Sequence, residues 1–158
     1  MSQSILELIR FHLDSAEIIY REVEHPPTRT SEESAAARGE DLSVGAKALL
    51  LRTDDVFRLF VLPADCRLDS TAVRRHLGVR RTRFATAEEL LESTGLVPGS
   101  VPPFGKPILP FELYADTMIG EKTDKVAFNA GSLTHSDLMK ASDWNRIAKP
   151  NRFRFARQ

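Results

Sequence analysis

At 158 residues and 42% hydrophobic content, the chain is long enough for one globular domain that buries roughly two-thirds of its unfolded surface, and too short for two independent cores. Its 22 basic and 22 acidic residues cancel to a formal net charge of zero, so no global field draws it to nucleic acid or a membrane and any attraction to polyanions is local. The single cysteine, Cys66, excludes an internal disulfide and a Cys-x-x-Cys pair, which suits a cytoplasmic setting. Glu7, Arg10 and His12 interrupt the apolar pattern at the start, and no run reaches membrane-spanning length.

Three Ser/Thr-x-x-Glu segments, Ser4 to Glu7, Thr30 to Glu33 and Thr86 to Glu89, predict helix starts with reciprocal capping boxes. Ile5, Leu8, Ile9 and Leu13 continue the first at helical spacing to about Ser15. The second is short and stops at Gly39; the third stops near Gly95. Strands are predicted over Ile18 to Val23, Ala48 to Leu51 and Val56 to Leu62, the last two joined as a hairpin through Arg52-Thr53-Asp54-Asp55. A helix from Asp69 through Val73 and Leu77 ends at Gly78. Leu96 to Gly105 is too rich in Pro and Gly for regular structure and fixes an ordered, irregular path. Lys125 to Phe128 and Leu133 to Met139 read as strands around the turn Asn129-Ala130-Gly131-Ser132, and a final helix spans about Asp143 to Ala148. The order implies a mixed α/β (α+β) fold in one domain over residues 1–158.

Lys47 enters a strand that is apolar on both faces, an awkward place for a charge. Its ammonium either lies partly desolvated in a cleft, where it suits a phosphate or a developing oxyanion, or snorkels to water as an ordinary strand-end lysine. The loop Gly99-Ser100-Val101-Pro102-Pro103 either presents N–H groups to a ligand or is a rigid connection, and the turn at Gly131-Ser132 permits the same two readings. None of His12, His25, His76 and His135 forms a metal-spaced pair, so no metal or cofactor is expected. Arg74, Arg75, Arg80, Arg81 and Arg83 form one basic cluster, and Arg146, Lys149, Arg152, Arg154 and Arg157 another. Each is either a phosphate-backbone contact or a solvated face. Arg80, Arg81, Arg152 and Arg154 are the candidate phosphate-backbone contacts.

Val23-Glu24-His25, Gly45-Ala46-Lys47-Ala48-Leu49, Glu89-Leu90 to Gly95, Gly99-x-x-x-Pro103 and Phe128-Asn129-Ala130-Gly131, in this order over nearly the whole chain, resemble the YbaK/ProX family. Glu32-Glu33-Ser34 with Ala36, Val126 to Gly131 and Ala141 to Ala148 are most similar to its YeaK-type branch, associated with seryl and threonyl esters. The resemblance implies a twisted mixed β-sheet surrounded by helices, as in the editing module of bacterial prolyl-tRNA synthetases. It places the family's active lysine on Lys47, its Gly-x-x-x-Pro pocket loop on Gly99 to Pro103, and a further pocket segment on Gly131 and Ser132. His25 and His135 join these as implied substrate-binding residues. An acidic residue of the cysteine-specific branch would fall near His135 or Ser136, where this chain has none.

The implied function is trans-editing hydrolysis of mischarged aminoacyl-tRNA, Ser- or Thr-charged in particular, without a metal. The alternatives are an alanyl- or cysteinyl-tRNA(Pro) deacylase and a non-catalytic tRNA- or synthetase-binding module. The implied partner is aminoacyl-tRNA, with a synthetase or elongation factor as a further candidate and no role for DNA or membrane.

Overall fold

The computed structural model describes residues 4–158. Helix α1, Ile5–Ser15, starts where the Ser4 hydroxyl accepts the Glu7 N–H, and it buries Ile9 and Leu13 completely. Strand β1, Tyr20–Glu24, begins two residues later than the apolar run suggests, because Ile18 turns into the core while Ile19 is 88% exposed. Helix α2, Ser31–Arg38, runs from the Thr30 hydroxyl cap to a left-handed Gly39. A 3-10 turn at Leu42–Val44 then delivers β2, Ala46–Thr53, which pairs antiparallel with β3, Val56–Pro63, from Ala46↔Pro63 to Thr53↔Val56. The expected hairpin is therefore present and longer at both ends.

Residues of β3 alternate between two cores: Leu59 and Val61 join one cluster, Phe60 and Leu62 the other. Burial on both faces explains why these strands read as unbroken apolar runs. The chain continues through β4 (Arg67–Leu68), α3 (Ser70–Leu77), β5 (Thr82–Phe84) and α4 (Ala87–Thr94). It closes with β6 (Leu113–Asp116), β7 (Lys125–Asn129), β8 (His135–Lys140), α5 (Ala141–Ala148), β9 (Asn151–Phe153) and β10 (Ala156–Arg157). Of the three expected capping boxes only Thr86–Glu89 closes reciprocally; Ser4 and Thr30 cap through their hydroxyls alone.

A five-stranded mixed sheet has the order β5-β2-β3-β6-β9, with β6 and β9 parallel to β3. A three-stranded antiparallel sheet has the order β1-β8-β7, and β10 pairs with β4 in a small third sheet. The mixed α/β class stands, although the strands divide among three sheets rather than one. Gly45 bridges Ala127, so the start of β2 is pinned to β7 where the two larger sheets meet.

Candidate active site

At that junction opens a cleft of about 230 Å³. One wall is the start of β2, from Gly45 to Leu49; the second is Arg29 with α2 residues Ser34 and Arg38. Gly99 and Val101 close a third side, and Ala127 and Asn129 of β7 form the floor. The cleft brings together Lys47 and Gly99, which lie 52 positions apart in the chain, and adds residues that the sequence reading had not assigned to a site.

Lys47 is half-buried, and its Nζ donates to the Cys66 carbonyl at 2.5 Å. An ammonium has three hydrogens, so two remain for a ligand. Burial pushes its pKa below the usual lysine value. Cys66, Glu32 and Asp65 oppose that fall, and Arg67 adds to it. The group keeps its charge at neutral pH only against a desolvation cost, the condition under which a developing anion repays most.

Arg38, the last residue of α2, has only 9% of its surface exposed and no carboxylate partner in the described residues. Its Nε donates to Ser136 Oγ at 2.9 Å and its Nη2 to Asn129 Oδ1 at 3.1 Å. Burial lowers its pKa to about 10, with Glu40 opposing, so it remains a cation at neutral pH. Behind it, His25 Nε2 lies 2.8 Å from Ser136 Oγ, which makes His25 a support of the cleft rather than part of its wall.

Gly99 has φ +91°, and a Cβ there would come within 3.2 Å of the Arg29 carbonyl, so glycine lets this loop close on the segment leading into α2. The Gly99 carbonyl accepts from Asn129 Nδ2 at 2.7 Å. Ser100 departs from expectation: its N–H and hydroxyl both bond the Val97 carbonyl, at 3.1 and 2.7 Å, so neither is free for an oxyanion. Pro103 offers its carbonyl to Trp144 Nε1 at 2.9 Å and lies beneath α5.

The late turn also stands off the cleft wall. Gly131 has φ +70°, and a Cβ there would meet Ile5 Cγ2 at 2.6 Å, so this turn is pressed against α1. The Ser132 hydroxyl caps the Thr134 N–H at 3.0 Å and lies 3.2 Å from His135 Nδ1, a local arrangement that orders the turn.

The basic clusters change character in space. Arg80 and Arg81 are exposed, but their N–H groups both bond Asp54 Oδ1, so a carboxylate sits inside the first cluster, and Arg83 is paired with Glu89. Arg152 is partly buried and bonded within the fold. Its Nη2 donates to the Asp116 and Ile119 carbonyls, both at 2.8 Å, and its Nη1 to Asn145 Oδ1 at 2.6 Å. Carbonyls at the end of β6 need donors, and Arg152 supplies them. Arg154 is exposed. Among the described residues no three His, Cys, Asp or Glu side chains gather as a metal-holding group, and no helix is long and apolar enough to cross a membrane.

A family model for the aminoacyl-tRNA editing domain matches residues 25–147, which span every wall of this cleft. The chain belongs to the aminoacyl-tRNA editing domain family. The Multifunctional Ser/Thr-tRNA deacylase ProXp-y of Escherichia coli (strain K12) is 36% identical to it over 143 residues, covering 87% of this chain and 84% of that protein. Proline--tRNA ligase of Shouchella clausii (strain KSM-K16) is 36% identical over 94 residues, 60% of this chain and 16% of the ligase. A solved structure of a candidate trans-editing enzyme for prolyl-tRNA synthetase superposes over 100% of both chains with a TM-score of 0.81 at 24% identity, which establishes the shared fold.

Proposed function

We propose that this chain is an aminoacyl-tRNA deacylase that hydrolyses seryl and threonyl esters, with Lys47 as its catalytic cation. The observation that carries the reading is the pairing of Lys47, with two free hydrogens, and the Gly99 loop across one small cleft in a chain of the editing family. The full-length relative named as a Ser/Thr-tRNA deacylase supports the choice of ester.

The ester between an amino acid and the terminal ribose is already activated, so positioning and charge stabilisation suffice. Water attacks the carbonyl carbon, forming a C–O bond while the carbonyl electrons move onto oxygen beside the Lys47 ammonium. The intermediate collapses by breaking the bond between the acyl carbon and the ribose oxygen. The proton lost by water reaches that leaving oxygen through the neighbouring ribose hydroxyl, giving free amino acid and tRNA. A size difference of one methylene separates esters by only about 1–3 kcal/mol, which explains how serine and threonine share a pocket. Of the four arginines considered as backbone contacts, Arg80, Arg81 and Arg154 are exposed and available to the tRNA backbone, and a synthetase or elongation factor would compete for the same substrate. Cytoplasmic location follows from that substrate.

The test incubates purified protein with Ser-, Thr-, Ala- and Cys-charged tRNA and scores ester loss against buffer. Faster loss from Ser- and Thr-tRNA is expected. Binding of charged tRNA with no acceleration of any ester would instead assign a non-catalytic module, and preference for Ala- or Cys-tRNA the other deacylase activities.

A further inference from the structure

Arg38 presents an unused donor to the cleft. Ser136 and Asn129 fix two edges of its guanidinium, while Nη1 has no partner among the described residues. Nη1 lies 3.6 Å from the position that a Gly45 Cβ would occupy, at the cleft wall. Two neighbouring polar side chains of the cleft are already committed: Asn129 Nδ2 to the Gly99 carbonyl at 2.7 Å, and the Ser34 hydroxyl to Thr28 at 2.8 Å. Arg38 and Lys47 are cationic donors on this surface, and guanidinium and ammonium groups donate without accepting.

Gly45 immediately precedes β2 and Lys47 is the second residue of that strand, and both line the cleft with Arg38. A small acyl group bound in this cleft has its carbonyl to offer Lys47 and its Cβ substituent to offer Arg38. Resting on the deacylase reading above, we propose that Arg38 determines specificity by donating from Nη1 to the side-chain hydroxyl oxygen of the seryl or threonyl ester. The buried, carboxylate-free guanidinium supplies the discrimination. An alanyl group leaves the donor facing a methyl, and a cysteinyl thiol is a poor acceptor. Sites built to bond a substrate hydroxyl reject analogues lacking it far better than apolar pockets reject a missing methylene.

The experiment measures kcat/KM on Ser-, Cys- and Ala-charged tRNA for wild type, Arg38→Lys and Arg38→Met. Wild type prefers Ser-tRNA to Ala-tRNA by roughly 10²-fold or more. Arg38→Met loses most of that preference by lowering the Ser-tRNA value while the Ala-tRNA value stays within about threefold. Arg38→Lys, which keeps charge but not the fork, restores part of the preference. A merely structural Arg38 would instead lower all three substrates equally, and that outcome overturns the proposal. Should both variants fail to fold, the wild-type comparison decides alone: equal rates on Ser- and Ala-tRNA overturn the role of Arg38 while leaving the deacylase reading intact. No hydrolysis of any ester by wild type would instead remove the deacylase reading itself.

Discussion

Glu22 and Asp137 stand directly opposite each other across the β1–β8 ladder, and the Asp137 carboxyl is fully buried with no conventional donor to either oxygen. Two ionised carboxylates cannot bond each other, so the pair is stable with one shared proton. Burial raises the Asp137 pKa, to about 8, and Glu22 and Asp14 reinforce the rise against Arg10. The Glu22 carboxylate is held ionised by its ion pair with Arg10.

This pair predicts how stability depends on pH. The folded chain keeps the Asp137 proton to about pH 8, whereas an unfolded aspartate loses it near its ordinary value of 3.8. The native state binds more protons between those limits, so stability falls as pH rises from about 4 to 8, by at most about 1.4 kcal/mol per unit. Asp137→Asn should flatten that fall and melt above wild type at pH 8. Thermal melts across this range check it, and parallel profiles would assign the pH dependence elsewhere.

Gly99→Val tests the loop that closes the cleft. A side chain at φ +91° costs about 1–3 kcal/mol and pushes on the Arg29 carbonyl. The variant should remain folded with a lower Tm and lose at least roughly tenfold in kcat/KM, because small displacements of positioning groups are expensive. Full activity on every ester would remove the Gly99 loop from the site.

The two basic clusters should now behave differently. Charge reversal at Arg80 and Arg81 leaves their backbone bonds to Asp54 in place, so it should raise KM and reduce the salt slope of tRNA binding without altering stability. Arg152→Ala instead removes the donors to the Asp116 and Ile119 carbonyls and should cost about 1–3 kcal/mol in stability. Denaturant titrations and salt-dependent binding separate the two. Unchanged binding in the Arg80/Arg81 double variant would make that cluster a solvated face.

Much of the frame was legible in the sequence because its signals are local. Caps at Ser4, Asp69 and Thr86 mark helices, and the β2–β3 hairpin announces itself through apolar runs buried on both faces. Strands β4, β5, β9 and β10 have only two or three residues, too few to show a period. Strand β6 ends in Asp116, whose buried carboxylate accepts the Phe155 and Ala156 N–H groups, a partnership that reaches 39 and 40 positions along the chain. The site divides the same way. Lys47 and Gly99 carry local oddities, a charge in an apolar strand and a glycine in a stiff loop. Arg38 carries none, since a cation before a helix-ending glycine is ordinary. Its partners Ser136 and Asn129 lie 98 and 91 positions away and are found only in the folded chain. The internal bonds of Arg152 were hidden for the same reason: its carbonyl partners are distant in sequence.

The most direct measurement of the central claim is single-turnover hydrolysis of Ser-charged tRNA by wild type and by Lys47→Ala, with circular dichroism and melts run alongside. The ammonium acts on charge that develops at the ester oxygen, so its removal should lower the hydrolytic rate constant by about 10²–10³ while the variant stays folded. Lys47→Arg should recover little of the loss, because a wide planar fork does not replace a compact ammonium in a cleft of about 230 Å³. A folded Lys47→Ala that hydrolyses Ser-tRNA at the wild-type rate would contradict the account and leave Lys47 as a strand-end lysine bonded to the Cys66 carbonyl.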